Sequence, residues 1–476
     1  MKDKIYYYAD FDLEALLSLA KQCRGRPCTC DASQKPKSGS LNWVIFICFD
    51  DGIEWVFRSP TNGIHGFYSD ETASKIIVSE ACTLMYLKTH TSIPVPEVYS
   101  GSSDNNIGVP YILQSKAAGR SLGSYDWSQP GHQVKGFQNR RPLLPLSEKD
   151  REKVMSQLGA IMSELSNHRF GEIGSIFREE NGKYSIRECL SPSLTWQERD
   201  SLKLDRGPFH EEHDYLVSLI SAFTSHAQEL PLTPHTKNVL FYCIAGQFLL
   251  EMIPRLSSSV KKGFTLSHPD LHLGNIYVDD DFNITCIIDW SSTSSGPSTE
   301  LLGTPSLGGS AAPPSEYLVA AFRSGFTKRA TEVISELSHS NLWAKSDRMW
   351  HFSRLVRLLS KNDYEHFRKL FELVYKPSNE GDEGRVGILS LFHERANRVE
   401  NQKLLAELQK EDITMEELQE KERACFPPSR TVNSDAIAVA RKLTLMSEMN
   451  LGFLADYRLW QWVEEARTHD DRQELE

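Results

Sequence analysis

One stretch constrains this chain more than any other: Leu266-Ser-His-Pro-Asp-Leu-His-Leu-Gly-Asn-Ile-Tyr-Val278, with Ile287-Ile-Asp-Trp290 close behind it. The runs Phe264-Thr-Leu266, Ile276-Tyr-Val278 and Ile284-Thr-Cys-Ile-Ile288 are short, apolar and β-prone, so they read as strands, with Asp279-Asp-Asp-Phe-Asn283 as the turn between the last two. Asp270 therefore falls on a loop between strands, within reach of an acceptor hydroxyl that it can orient and deprotonate. Asn275 supplies a neutral oxygen ligand and Asp289 a charged one at the end of an apolar strand, a pair suited to a hard cation such as Mg²⁺. Together they suit a metal-assisted phosphoryl transfer site, with Asp270 as base and Asn275 and Asp289 as metal ligands. Gly274 lets the backbone turn before Asn275, while His268 and His272 read as residues that fix the loop by hydrogen bonding.

The preceding chain has the pattern of a small mixed lobe. Phe11 to Lys21 has the leucine spacing of a short amphipathic helix, and Gly25–Ser40, rich in Gly, Pro, Ser and Lys, reads as a loop. Leu41 to Phe49, the turn Asp51-Gly52 and Glu54 to Arg58 form a β-hairpin. Thr72 to Lys88 is a helix carrying Glu80, Pro94 and Pro96 impose an extended chain into Val98, and Val109 to Leu113 is another strand. Gly123 to Pro145 is a long polar loop. Helices follow from Ser147, where Ser147-Glu-Lys-Asp150 is a capping box, then at His213–Gln228 and Thr236–Ile253.

Beyond the central motif and the Gly/Pro/Ser-rich run Gly303–Pro314, the remainder reads as helical. The candidate segments are Ser315–Phe326, Lys328–Ser338, Ser346–Leu359, Tyr364–Val374, Arg398–Gln409, Asp435–Met446 and Tyr457–Ala466. The division that follows is an N-terminal helix and loop (1–37), a first lobe (38–122), a helical catalytic lobe (123–376) and a helical extension (377–476). The fold class is α+β.

Composition narrows the function classes. A net charge of −11 argues against a nucleic-acid partner and means that an anionic ligand must be held by local donors and metal. The longest apolar run, Val239–Ile253, is broken by Gly246, Gln247 and Glu251 and reads as a buried helix, so no membrane partner is expected. Nine scattered cysteines point to free thiols and a cytoplasmic setting. Trp43, Trp55, Trp127 and Trp196 read as core before pocket lining.

The central motif resembles the catalytic and metal-binding loops of the aminoglycoside phosphotransferase family, a branch of the protein-kinase-like fold, and most resembles the uncharacterised members found in filamentous fungi. Gly39-Ser-Leu-Asn42, Trp55-Val-Phe-Arg58, Glu80, Ser92-Ile-Pro-Val-Pro96, Gly108-Val-Pro-Tyr-Ile-Leu113 and Phe170-Gly-Glu-Ile-Gly174 extend the likeness over roughly residues 38–300. The resemblance implies a two-lobe fold, with a small β-rich first lobe and a larger, mainly helical second one. It also implies an ATP- and Mg²⁺-dependent transfer of phosphate to a hydroxyl of a small-molecule acceptor. Asp270 becomes the catalytic base, and Asn275 and Asp289 the magnesium ligands. Arg58 takes the place of the phosphate-contacting lysine, and Glu80 that of its helix partner. Gly39, Ser40 and Asn42 belong to the phosphate-covering loop, and Leu113 and Lys116 to the hinge around adenine.

Three departures stand out: Arg58 in place of lysine, a single glycine in the phosphate loop, and Gln114-Ser-Lys116 where the hinge of the family is apolar and acidic. The first two motivate an alternative, a kinase-like binding module with weak catalysis, and the third leaves the nucleotide, ATP or GTP, open. A metal-dependent hydrolase using Asp270 and Asp289 would leave the first lobe without a purpose. Choline, sugars, homoserine-like alcohols and secondary metabolites are all open as acceptors, since acceptor pockets diverge on a shared fold.

Overall fold

The structure, a computed structural model, describes residues 4–39, 41–61, 68–127, 143–229, 236–257, 263–308, 313–330, 340–357, 363–375 and 387–408. The chain divides into two compact units, Met1–Tyr215 with Ser257–Trp350, and Leu216–Leu256 with His351–Glu476. The fold is the expected α+β, protein-kinase-like two-lobe arrangement, with an antiparallel sheet and its helix first and helix-rich structure after it.

The first unit opens with a helix, α1 (Leu13–Arg24), started by the Asp12 carboxylate, which accepts from the Ala15 N–H at 2.9 Å. Six strands follow: β1 (Cys28–Thr29), β2 (Lys37–Ser38), β3 (Asn42–Phe49), β4 (Glu54–Pro60), β5 (Val98–Ser102) and β6 (Tyr111–Ser115). They form one sheet in the order β1-β3-β4-β6-β5, with β2 also pairing β3. The expected β3–β4 hairpin is present, Gly52 taking the left-handed turn position at φ 82°. The stretch Gly25–Ser40, read as loop, contains β1 and β2; strands of two residues are too short to leave a periodic signal.

Alternation along β3 and β4 separates the two faces of the sheet. Trp43, Ile45, Ile47, Phe49, Trp55 and Phe57 are buried, packed in one cluster with Ile5, Phe11, Leu16 and Ala20. Val44, Phe46 and Val56 occupy the other face and are half-buried. On that side runs α2 (Asp70–His90), capped by Ser69, whose hydroxyl accepts from the Thr72 N–H. Ile77 and Ala81 of α2 pack on Ile112 of β6.

The rest of the unit is built on α3 (Glu148–Leu165), which begins with the expected capping box between Ser147 and Asp150. Short strands surround the motif: β7 (Arg120–Ser121), β8 (Arg169–Phe170), β9 (Ser175–Arg178), β10 (Tyr184–Arg187), β11 (Phe264–Ser267), β12 (Ile276–Val278), β13 (Ile284–Ile287) and β14 (Ser294–Gly296). Helices α4 (Pro192–Thr195), α7 (Ser298–Leu301) and α8 (Glu316–Ala330) complete it, with the first part of α9 (Ser340–Arg357). Helices α3 and α8 meet backbone to backbone: a Cβ on Gly159 would strike Phe322 O, and one on Gly325 would strike Ser156 O. Any larger residue at either position forces the helices apart.

The second unit holds most of α5 (Glu212–Glu229), with α6 (Thr236–Leu256), α10 (Asp363–Tyr375), α11 (Ile388–Ala396) and α12 (Val399–Leu408). Around α6, Tyr242 donates to Asp363 at 2.8 Å, Gln247 to Asn401 at 2.8 Å, and the Arg395 guanidinium covers Phe248. By length and composition Val239–Leu256 is apolar enough to cross a membrane, against the expectation of no such run, but most of it is buried within the protein.

Other readings change. Ser315–Phe326 and Lys328–Ser338 were separated at residue 327, yet α8 runs unbroken to Ala330; residues 331–338 lie outside the described residues. Helix α11 was not expected from the sequence. Asp435–Met446, Tyr457–Ala466, the break at 378–385 and most of the Gly123–Pro145 loop also lie outside the described residues. Trp43, Trp55 and Trp196 are buried, as core tryptophans should be.

Candidate active site

The loop between β11 and β12 is organised by its two histidines. His268 accepts from the Asp270 N–H on Nδ1 at 3.2 Å and donates from Nε2 to Ile288 O at 3.0 Å, so it bridges the two halves of the motif as a neutral ring. Burial holds its pKa down, and its ring packs on Trp290. His272 accepts from the Gly274 N–H at 3.0 Å and shapes the turn into Asn275. Both therefore fix the loop, as expected of them. The Asp270 carboxylate is left about 43% exposed.

Asn275 is buried, its amide donating to Asp270 O at 3.0 Å. Strands β12 and β13 pair Ile276 with Ile287, and the Ile288 N–H reaches Asn275 O at 2.9 Å. Two residues of sequence separated by a turn are thereby brought together, and Asp289 emerges beside Asn275. Asp289 sits at φ 66°, a left-handed backbone uncommon outside glycine, asparagine and aspartate. Its carboxylate is turned toward the sheet.

There it meets Arg58. The Arg58 guanidinium donates to Glu80 Oε1 at 2.7 Å, to the Asp289 carboxylate and to Ser291 Oγ at 3.0 Å. Ser291 Oγ in turn donates to Glu80 Oε2 at 2.7 Å. A fork of donors suits this double task, which a lysine ammonium would meet as a point charge. Burial disfavours the charge on Arg58, but the two carboxylates outweigh it and keep it protonated. The carboxylates divide the benefit unequally. Glu80, wholly buried, is pushed up to about 6 by burial despite Arg58. Asp289 is also pushed up by burial, but Arg58 beside it wins and holds it below the ordinary range.

The structure thus gathers Arg58, Glu80 and Asp289 into one network and sets Asn275 and Asp270 beside it along the backbone. The other expected residues are placed differently. Gly39 and Asn42 flank the β2–β3 turn, closed by the Gly39 N–H on Asn42 O at 2.9 Å; Ser40 lies outside the described residues. Leu113 points to the face of the sheet opposite Arg58 and is buried against the N-terminal helix, so its side chain is not available to a ligand there. Lys116 is exposed, paired with Glu54 and lying over the Phe46 ring.

Gln114, beside Leu113, is on the face of Arg58, opposite Val56. It is 6% exposed, and its Oε1 has no hydrogen-bond partner among the described residues. Sequence reasoning noted it only as a departure and missed Ser291 altogether. Tyr68 was also missed; it lies in the field of Arg58, Asp289 and Glu80, and burial raises its pKa. A serine two positions after Asp289 carries no signal of its own, since its partners are more than 200 residues away.

Comparison with known proteins gives the family of the chain. The model of the phosphotransferase enzyme family matches residues 35–331. A subtelomeric hrmA-associated cluster protein of Aspergillus fumigatus is 26% identical over 333 residues, which cover 58% of this chain and 60% of that relative. The chain thus spans about 60% of the length of the curated relatives it matches. Among solved structures, the macrolide 2′-phosphotransferase MphH of Brachybacterium faecium aligns with 77% of this chain and 100% of its own, at 13% identity and a TM-score of 0.42. The amicoumacin kinase hAmiN, in complex with AMP-PNP, Ca²⁺ and Ami, aligns with 81% of this chain and 98% of its own, at 15% identity and a TM-score of 0.40.

Proposed function

This chain belongs to the phosphotransferase enzyme family, and on that premise we propose that it moves the γ-phosphate of ATP to a hydroxyl of a small-molecule acceptor. The observation that carries this reading is the convergence of a sheet cation, a helix carboxylate and a loop carboxylate in the Arg58–Glu80–Asp289 network, next to the Asp270 loop.

The residues present fit the groups such a reaction needs. Gln114 offers a buried acceptor without a partner among the described residues, and Val44 and Val56 offer half-buried apolar surface on the same face, which suits a flat base with a hydrogen-bond donor on its edge. Asn275 and Asp289 supply oxygen donors of the kind Mg²⁺ takes, with phosphate oxygens and water to complete its shell. When bound, Mg²⁺ would offset phosphate charge that the net charge of −11 otherwise repels. Arg58, held by Glu80, keeps a buried positive charge facing that place. Asp270, on its histidine-braced loop, orients the acceptor hydroxyl and takes its proton as the new P–O bond forms.

Asp270→Asn tests the reading. Removing the base while keeping its shape should lower turnover by about 10²–10⁴-fold and leave ATP affinity unchanged, measured by coupled assay and by calorimetry. Wild-type turnover by that variant rules out the assignment. The second reading, a kinase-like binding module with weak catalysis, draws on Arg58, whose donors are already engaged by Asp289 and Ser291. Melting curves with ATP and Mg²⁺ followed by a turnover assay separate the two: a raised Tm without turnover on any alcohol favours the module.

A further inference from the structure

The helix that carries Glu80 is held at two separate points by residues that stand outside the reacting groups. The first is Ser291, buried, which closes a ring by accepting from Arg58 and donating to Glu80 Oε2. Both oxygens of Glu80 are thereby occupied, Oε1 by Arg58 and Oε2 by Ser291. The second is Asp200. One of its oxygens accepts from the backbone N–H of Ser69 at 2.8 Å and from the Ser69 hydroxyl at 2.7 Å. Ser69 is the N-cap of α2, so Asp200 grips the residue that starts the helix and adds a negative charge at the positive end of its dipole.

Asp200 stands on a stiff support. Gln197 and Glu198 precede it with φ of 57° and 63°. Arg199, fully buried, donates to Ser193 O at 2.9 Å, and Arg206 donates to the backbone oxygens of Arg199 and Leu202 at 2.6 and 3.1 Å. From Ser69 to Glu80 the helix rises roughly 16 Å at about 1.5 Å per residue. A helix held at one point can swing or roll; one held at two points that far apart can do neither without breaking hydrogen bonds to charged groups.

We propose that Ser291 and Asp200 are positioning residues that fix α2 in the free protein, so that the Arg58–Glu80 pair is assembled before a nucleotide arrives and needs neither a partner nor a modification to form. The nucleotide part of this rests on the phosphotransferase reading; the fixing of α2 does not. Ser291→Ala, Ser291→Thr, Asp200→Ala and Asp200→Asn test it in the full chain. Two measurements are made: hydrogen–deuterium exchange across Ser69–Ala81 without nucleotide, and calorimetric Kd for ATP with Mg²⁺.

Ser291→Ala should speed exchange around Glu80 and Asp200→Ala should speed it in the first turn, each by about tenfold, the size expected for losing a hydrogen bond to a charged group. Each should raise Kd by a similar factor. Ser291→Thr and Asp200→Asn, which keep the hydroxyl and the acceptor oxygen, should recover most of both. Wild-type exchange across α2 in both alanine variants overturns the proposal, as does recovery by neither conservative variant. If the wild-type chain binds no nucleotide, the phosphotransferase reading falls, and the exchange measurements alone still decide whether α2 is fixed.

Discussion

The two faces of the first sheet are made by the same strands and have opposite fates. One face, with Trp43, Ile45, Phe57 and Leu113, is closed by residues from the start of the chain and contains little that is polar: the Trp43 indole donates to Pro60 O at 3.1 Å. The other carries Val44, Phe46 and Val56 half-buried, with Arg58 and Gln114 among them. Apolar closure stabilises the first face, whereas the second retains a buried ion network and an acceptor without a partner among the described residues, both destabilising unless something satisfies them. A strand pattern with a period of two is enough to separate an apolar, closed surface from one that carries an ion network.

Substitutions on the two faces should therefore divide cleanly. Arg58→Ala should have the largest effect, because it leaves Glu80 buried without its cation. A loss of about 3–5 kcal/mol in stability is expected, together with loss of nucleotide binding, and urea unfolding with calorimetry measures both. Trp43→Ala on the closed face should cost about 3–5 kcal/mol as well, but the folded fraction should bind ATP with unchanged Kd. A weakened Kd there would break the separation of the faces.

The pH response sharpens it further. Glu80 has its pKa raised from 4.5 to about 6, so the folded state takes up its proton more readily than the unfolded chain does. This contribution to stability is present in full below about pH 4.5 and is lost as pH rises through about 6. Nucleotide affinity should move the other way, rising as Glu80 ionises and pairs with Arg58. Asp289, held below the ordinary range, works in the opposite sense: its contribution is present above the ordinary carboxylate range and is lost as pH falls below it. As pH rises from 4.5 to about 7, Tm and Kd should therefore fall together, stability dropping while affinity rises; a Kd that rises with pH would contradict the pairing. The smallest effect is expected from Gln114→Leu, which removes a buried acceptor without a partner among the described residues. It should raise stability by about 1 kcal/mol while weakening ATP binding.

The legible parts of this molecule are those in which function compresses into a short stretch. Asp270, Asn275 and Asp289 lie within 20 residues, and their strands and turn carry local signals, so the hairpin that joins Asn275 to Asp289 could be read before it was seen. Arg58 and Glu80 were legible only through the family resemblance, which pairs a sheet cation with a helix carboxylate. Contacts over long separations were not: Ser291 with Glu80, Asp200 with Ser69, and the side of the sheet to which Leu113 turns depend on tertiary pairing that no local pattern encodes. Helix α8 runs past Phe326 because Thr327 is no helix breaker such as Pro or Gly, and the backbone has no reason to stop there.

The helix that closes the inner face lies upstream of the limits by which the family is recognised. The family match begins at residue 35, yet Ile5, Phe11 and Leu16 precede it, as does the edge strand Cys28–Thr29, which shields part of β3. A fragment trimmed to residues 35–331 would uncover a flat aromatic surface and an unpaired strand edge together, the combination that seeds aggregation. Dissection of this chain for expression should keep its first 34 residues.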